Sequence, residues 1–447
     1  MFTDRLITTL SLSIGSDVHA LSAGQVERFS LDIQAWGFRA DIAFYVSSEQ
    51  EADPIFEGFS GTTLLAVTFQ FKRVPEGEGD TPTGVSVTGY AVSKAVSEVV
   101  GASLSGAPVI GRRYELLVLD AAQAFWTQHR PLELHVQSSM QDMIDANKPT
   151  GVTISYDWPA ISTPQAVLAV GLDGEGEPSF YDFLMHWVDR NQGVFELNTT
   201  TNSYRLGAKK SGSGTATAQE FEDVAAIRLR FPEPPRFVAR VLQAFADAPL
   251  TTELPNTLAA GIRRDVLLRT PIAADVSQRA QLETARLRAR LPGIELSYRR
   301  CPDALTPPAS LIELGEGFSQ RVFASGTTYR VVRLCATAQH KPDVPVEPED
   351  DSAVYEMELK VEAENKLSPV ASLPPFRDPR RILRVEGKIV SAGQSGQRSW
   401  AAIENEDNSL WMYKVFIPLF NKEVPAPFAP NFASGHFFFP AYKDQRV

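Results

Sequence analysis

The sequence predicts a mainly β protein with α+β insertions. Three observations carry this. Apolar and polar residues alternate at period two in several stretches, as half-buried strands do. The chain holds 31 Pro and 29 Gly, enough to punctuate many short strands. Helical recurrence of apolar residues is confined to a few places.

The first ~120 residues read as strands. Leu6, Thr8, Leu10, Leu12 and Ile14 fall at period two, with Thr9, Ser11 and Ser13 between the later ones. That is the pattern of a strand, not the apolar core of a secretion signal. Phe29, Leu31 and Ile33 alternate with Ser30, Asp32 and Gln34; Thr63–Phe71 is dense in β-formers. Glu76–Gly84 breaks the pattern, Val85 and Val87 resume it, and Tyr114–Leu119 closes it. Residues 1–120 are expected as a small antiparallel barrel or sandwich.

Residues 121–223 mix types. Leu132–Val136 reads as extended, and Ser138–Gln141 has the form of a capping box opening a short helix with Met140, Met143 and Ile144. A clearer helix starts at Ser179, where Phe180, Phe183, Leu184, Trp187 and Val188 make one apolar stripe. Ser179 suits the N-cap, Asp182 the first turn and Gly193 the C′ position. Residues 224–342 return to strands, apart from a helix over Val276–Leu291. Pro342–Asp351 reads as a linker and Pro369–Pro379 as a boundary, so 343–379 is expected to connect domains. Residues 380–447 carry short strands (Ile382–Val390, Trp400–Glu404, Trp411–Pro418, Phe437–Phe439) suited to a barrel of about five strands.

Composition limits function. Lys+Arg total 43 and Asp+Glu 54, a net charge of −11, which argues against a dedicated nucleic-acid binder. No run reaches the ~18–20 apolar residues of a membrane span. Two cysteines and six histidines leave no disulfide framework, Cys-rich metal site or His cluster. Gly207–Ser213 superficially suggests a phosphate loop, but Ser213 and Gly214 stand in the Lys and Ser/Thr places, so a solvated hairpin loop is expected. His129 and His135 would lie about 20 Å apart on an extended segment, with no third ligand near. Cys301 and Cys335 read as a buried reduced pair. Asp350–Asp351 and Glu404–Glu406 fall in linkers or turns, not on the two sides of a glycosidase cleft. No catalytic, cofactor-binding or metal-ligating residue is expected.

Four passages, taken in order, resemble the hub-and-spike proteins of contractile injection machines, the VgrG proteins of type VI secretion and the baseplate hub of T-even-like phages. They are Arg113–Leu119 with Phe125-Trp126, Arg130–Leu134, Ser138 and Met143-Ile144; Phe180–Leu184 with Asn191–Phe195; Leu282–Arg290 with Pro292-Gly293, Pro307–Leu314 and Tyr329–Leu334; and Val385–Val390 with Tyr413–Pro418, Phe439-Pro440 and Gln445–Val447.

The resemblance implies two tube-like β-barrel domains (1–120 and 224–342), an α+β domain (121–223) and a C-terminal OB-fold-like domain (380–447). It implies a homotrimer adapting a six-fold inner tube to a three-fold tip, a structural role without enzymatic activity. The implied partners are the inner tube hexamer, baseplate proteins and a tip or needle protein, in the cytoplasm until assembly and then in the baseplate. No needle-like β-helix follows the OB-like segment, so a needle is absent, supplied separately, or lost by truncation. Trp411, Tyr413, Phe416 and Phe437 are candidate trimer-interface residues, or else fill the small barrel. The alternatives are a β-rich carbohydrate- or receptor-binding module and a peptidoglycan hydrolase.

Overall fold

The computed structural model describes residues 1–49, 53–77, 79–102, 108–171, 177–212, 214–243, 250–268, 273–288, 290–319, 326–341, 344, 347–369, 372–379, 385–391, 402–404, 411–427 and 442–447. The N-terminal strands are β1 (Phe2–Ile14), β2 (Asp17–Leu21), β3 (Val26–Gln34), β4 (Gly37–Glu49), β5 (Leu65–Arg73), β6 (Val85–Ala102) and β7 (Pro108–Leu119), with helix α1 (Phe56–Ser60) between β4 and β5. Their alternate residues point inward, as the pattern requires: Leu6, Leu10 and Leu12 on β1, Phe29, Leu31 and Ile33 on β3, Val67, Phe69 and Phe71 on β5. Phe29 lies 4.9 Å from Phe69 and 5.2 Å from Phe71 between ring centroids, so aromatic rings fill the interior.

The middle of the chain supplies α2 (Ala121–Trp126), β8 (Leu132–Ser138), α3 (Met140–Ala146), β9 (Thr153–Asp157), β10 (Gln165–Gly171), α4 (Phe180–Arg190), β11 (Val194–Asn198) and β12 (Ser203–Gly207). Strands β8 and β10 pair antiparallel, and β12 sits between β11 and β9. The cap of α3 is Ser139 rather than Ser138, with Asp142 completing the box. Asp142 receives the Ser139 amide at 2.8 Å, one residue later than the S-x-x-Q reading. Ser179 caps α4 as expected, and Asp182 completes a capping box with it. Its buried face is Phe180, Tyr181, Leu184, Met185 and Val188, while Phe183 and Trp187 are only half-buried. Its C-terminus also differs: Gln192 takes the left-handed turn at φ 57°, and Gly193 is small because a Cβ there would sit 2.2 Å from the Trp158 ring.

The third stretch contains β13 (Thr217–Gln219), β14 (Val224–Arg230), β15 (Phe237–Gln243), β16 (Leu250–Leu254), β17 (Ile262–Leu268), α5 (Ala273–Arg286), β18 (Gly293–Tyr298), β19 (Leu311–Leu314), β20 (Thr328–His340) and β21 (Ser352–Asn365). The segment expected as a linker therefore holds a long strand. Asn365 apart, its odd-numbered residues Ala353, Tyr355, Met357, Leu359, Val361 and Ala363 are all buried. Period-two burial over this length marks a sheet strand; the acidic, Pro-containing residues before it form only its turn.

Strands β20 and β21 organise the molecule. The order β20–β3–β4–β7–β6–β5–β1–β21, with β20 also paired to β21, closes an eight-stranded antiparallel ring. Closure leaves the barrel itself no free edge, which its six strands from residues 1–120 cannot achieve alone. The other ends of the same two strands extend the sheet through β19 and β13 on one side and β18 and β14 on the other. A bulge between Val331 and Arg333 marks the passage: Arg330 faces β19, and Arg333 begins the pairing with β3. Strands β15, β16 and β17 form a separate small sheet against α5.

At the C-terminus, β22 (Lys388–Ile389), β23 (Ala402–Glu404) and β25 (Lys422–Pro427) all pair with β24 (Trp411–Ile417). Ile389, Val415, Ile417 and Val424 pack with Leu134 of β8 in a core of their own.

Candidate assembly surfaces

No group of three or more His, Cys, Asp or Glu is placed to hold a metal among the described residues. His129 and His135 are not spread along a strand, because β8 begins only at Leu132. They are joined by hydrogen bonds instead: His129 Nε2 meets Asn147 Oδ1 at 2.5 Å, Asn147 Nδ2 donates to Glu133 Oε2 at 2.9 Å, and His135 Nε2 meets that oxygen at 2.7 Å. Burial would raise Glu133, but the bonds from Asn147 and His135 hold it below the usual carboxylate range.

Both cysteines are free, yet only Cys301 is buried; Cys335 is half-exposed. Burial first, and Asp32 second, push the Cys335 thiol up to about 12, so it does not supply a ready thiolate. The phosphate-loop resemblance also resolves differently from a solvated hairpin. Lys210 is nearly buried, bonded to Glu364 Oε1 and, at 3.2 Å, to the Ser368 carbonyl oxygen. Asp350 and Asp351 are exposed on the β20–β21 turn; Glu406 lies outside the described residues.

What is organised is surface. The solvent side of β3, β4, β7, β20 and β21 forms an open cleft of about 450 Å³. Its neighbourhood is laced with ion pairs: Arg28–Glu115 at 2.8 Å, Arg113–Glu27 at 2.7 Å and Arg333–Asp32 at 2.8 Å. Exposed pairs contribute little stability, but they leave this face hydrophilic, and Asp41, Glu115, Glu356 and Glu358 outnumber Arg28 in the cleft lining. Strands β4, β7 and β6 also run on past the barrel: β5 pairs with β6 only as far as Tyr90, while β7 follows it to Ala102. Beyond Tyr90 the outer edge of β6 carries no strand among the described residues, and Val92 and Val96 are exposed there.

Two strongly charged features sit at opposite ends of the β20–β21 hairpin. At the turn, Glu347, Glu349, Asp350 and Asp351 are all exposed. The turn is fixed by the Gly24 amide donating to Asp350 O at 2.9 Å and by Ser22 Oγ donating to Pro348 O. A Cβ at Gly24 would overlap the Glu347 carbonyl, so glycine permits this close approach. At the other end lies a cleft of about 410 Å³ whose cations are Lys209, Lys210, Arg288, Arg330 and Lys366. Arg330 and Lys210 form its floor and share Glu364; Arg330 Nε also donates to Ser211 O at 2.6 Å. The sequence showed the acidic run only as a linker. The cationic cleft gave no signal, because its residues are scattered from 209 to 366.

The four aromatic candidates separate. Trp411 begins β24, but its side chain is not among those described, and Phe437 lies outside the described residues. Tyr413 packs toward the core of Val415 and Ile417, while half-buried Phe416 falls on the alternate face of β24.

No family profile and no curated protein sequence matches this chain. Its fold does match solved structures. A chain of the Francisella PdpA–VgrG complex in its half-lidded form aligns at TM-score 0.69 and 11% identity, over 99% of this chain and 76% of that one. The lidless form of the complex gives 0.65 at 11% identity, over 100% and 85%. The E. coli c3393 protein, a type VI secretion component described as structurally similar to phage T4 tail proteins, gives 0.50 at 11% identity, over 92% and 99%. At these identities the likeness is one of fold.

Proposed function

We propose that this chain is a structural hub of a contractile injection machine, assembling as a trimer that adapts a six-fold inner tube to a three-fold tip. The observation that carries the reading is the fold match along 99% of the chain to a chain of the PdpA–VgrG complex. The hydrogen-bonded histidines and shielded thiols fit a protein whose work is mechanical. A ring of three copies requires heterologous contacts that close on themselves. Inner tube, baseplate and tip proteins are the partners of this reading, and Trp411, Tyr413, Phe416 and Phe437 its candidate axis residues.

Native mass spectrometry with negative-stain imaging tests it. The expected result is a mass of three chains and a ring with a central channel. A particle that stays a single chain at micromolar concentration overturns the trimeric hub. A cleared band in a peptidoglycan zymogram would overturn the non-enzymatic part; none is expected.

A further inference from the structure

We propose that neighbouring copies of this chain dock head to tail, the acidic turn of one copy seated in the cationic cleft of the next. This deepens the hub reading and rests on it for closure into a ring. Glu347, Glu349, Asp350 and Asp351 form no ion pair among the described residues, and neither do Lys209, Arg288 and Lys366 on the cleft rim. On the cleft floor Lys210 and Arg330 share one carboxylate, Glu364, and the cleft's other anion, Asp189, is paired with Arg286. Burial draws Lys210 below its ordinary value, its pairing with Glu364 opposes this, and the nearby Arg330 adds to it.

Within one copy the two features cannot neutralise each other. The hairpin between them runs from Thr328 to His340 on β20, about 40 Å at the rise of a strand. That is several times the ~10 Å screening length at ordinary ionic strength. Each copy therefore presents an unsatisfied acidic head and an unsatisfied basic tail on one rigid element. The chain as a whole is acidic at −11, so a cationic cleft is a local exception that selects an acidic partner. A second copy supplies one in fixed geometry, because Ser22 and Gly24 hold the turn's backbone in place. Head-to-tail contacts are heterologous, the type that generates a cyclic ring.

Charge reversal on the full-length chain tests this. One variant carries Glu349→Lys, Asp350→Lys and Asp351→Lys; a second carries Lys209→Glu, Arg288→Glu and Lys366→Glu; a third combines all six. These are exposed positions, where substitution is ordinarily tolerated by the fold, and circular dichroism verifies it. At about 50 mM salt the parent is expected at three chains, loosening toward about 500 mM as screening grows. Each triple variant is expected to drop to one chain. The six-fold variant is expected to regain the parent mass without mixing with the parent. If both triple variants keep the parent's mass, or the folded six-fold variant stays a single chain, the docking proposal falls while the hub reading stands. If the parent itself is a single chain at every salt concentration, the trimeric hub falls too.

Discussion

Single residues fix places where strands must meet loops. The Asp53 carboxylate is almost wholly buried and accepts from the Tyr114 hydroxyl, from Arg112 at 3.2 Å and from the Ile55 amide at 2.9 Å. Burial alone would raise its pKa, but these bonds hold it below 3.8. The folded state then binds fewer protons than the unfolded one near that value. The stabilisation is full above the ordinary Asp value and lost as pH falls through the lowered folded one. Asp53→Asn is expected to cost about 1–3 kcal/mol at pH 7 and to flatten the acid limb of stability, read by urea unfolding at neutral and acid pH. Tyr355 anchors the seam similarly: its hydroxyl lies 3.1 Å from Thr8 Oγ1 and donates to Val26 O at 2.9 Å or Ala23 O at 3.1 Å. Tyr355→Phe is expected to lower urea stability by about 1–2 kcal/mol without changing the fold. Neither role was legible in the sequence. Asp53 sits in no motif, and its side-chain partners are 59 and 61 residues away.

Helix α4 shows what an element's sequence can and cannot say. Its start was readable because a capping box is local chemistry between Ser179 and Asp182. Its buried face was rotated from the expected stripe. Tyr181 and Met185 are buried where Phe183 and Trp187 were expected, and Trp187 instead packs at a tilt against Trp158, with ring centroids 4.8 Å apart. Aromatics on two adjacent faces make the stripe ambiguous; the neighbours decide which face goes in. Leu184→Ala is therefore expected to cost about 2–5 kcal/mol, and Trp187→Ala less, in thermal or urea unfolding. Equal costs would mean that Trp187 is as deeply packed as Leu184. The strands were easier to read, since period-two burial in β1, β3 and β5 leaves one face to choose.

At the scale of the molecule, the barrel is discontinuous in sequence. Its six N-terminal strands leave β3 and the Phe2–Ile7 stretch of β1 as open edges until β20 and β21 arrive from residues 328–365, while β2 covers Leu10–Ile14. A fragment of residues 1–120 is therefore expected to aggregate or to lack cooperative unfolding, and the full chain to unfold cooperatively in calorimetry. A soluble, cooperatively folding fragment would show that the two late strands are dispensable. The expected boundary at residue 120 and the linker at 343–379 followed from local composition. The turn before β21 does look like a linker, and only pairing partners distant in sequence reveal the strand beyond it.

The sequence by itself determined the β-rich class, the starts of α3 and α4 within a residue and the order of passages that resembles injection-machine hubs. These rest on alternation, capping and composition, which act between near neighbours in the chain. Tertiary structure alone decided that the ring closes through the β20–β21 hairpin, which face of α4 is buried, and that scattered lysines and arginines form one cationic cleft opposite an acidic turn. Those features depend on strand pairing and packing between residues up to about 350 positions apart, as in the pairing of Phe2 with Met357.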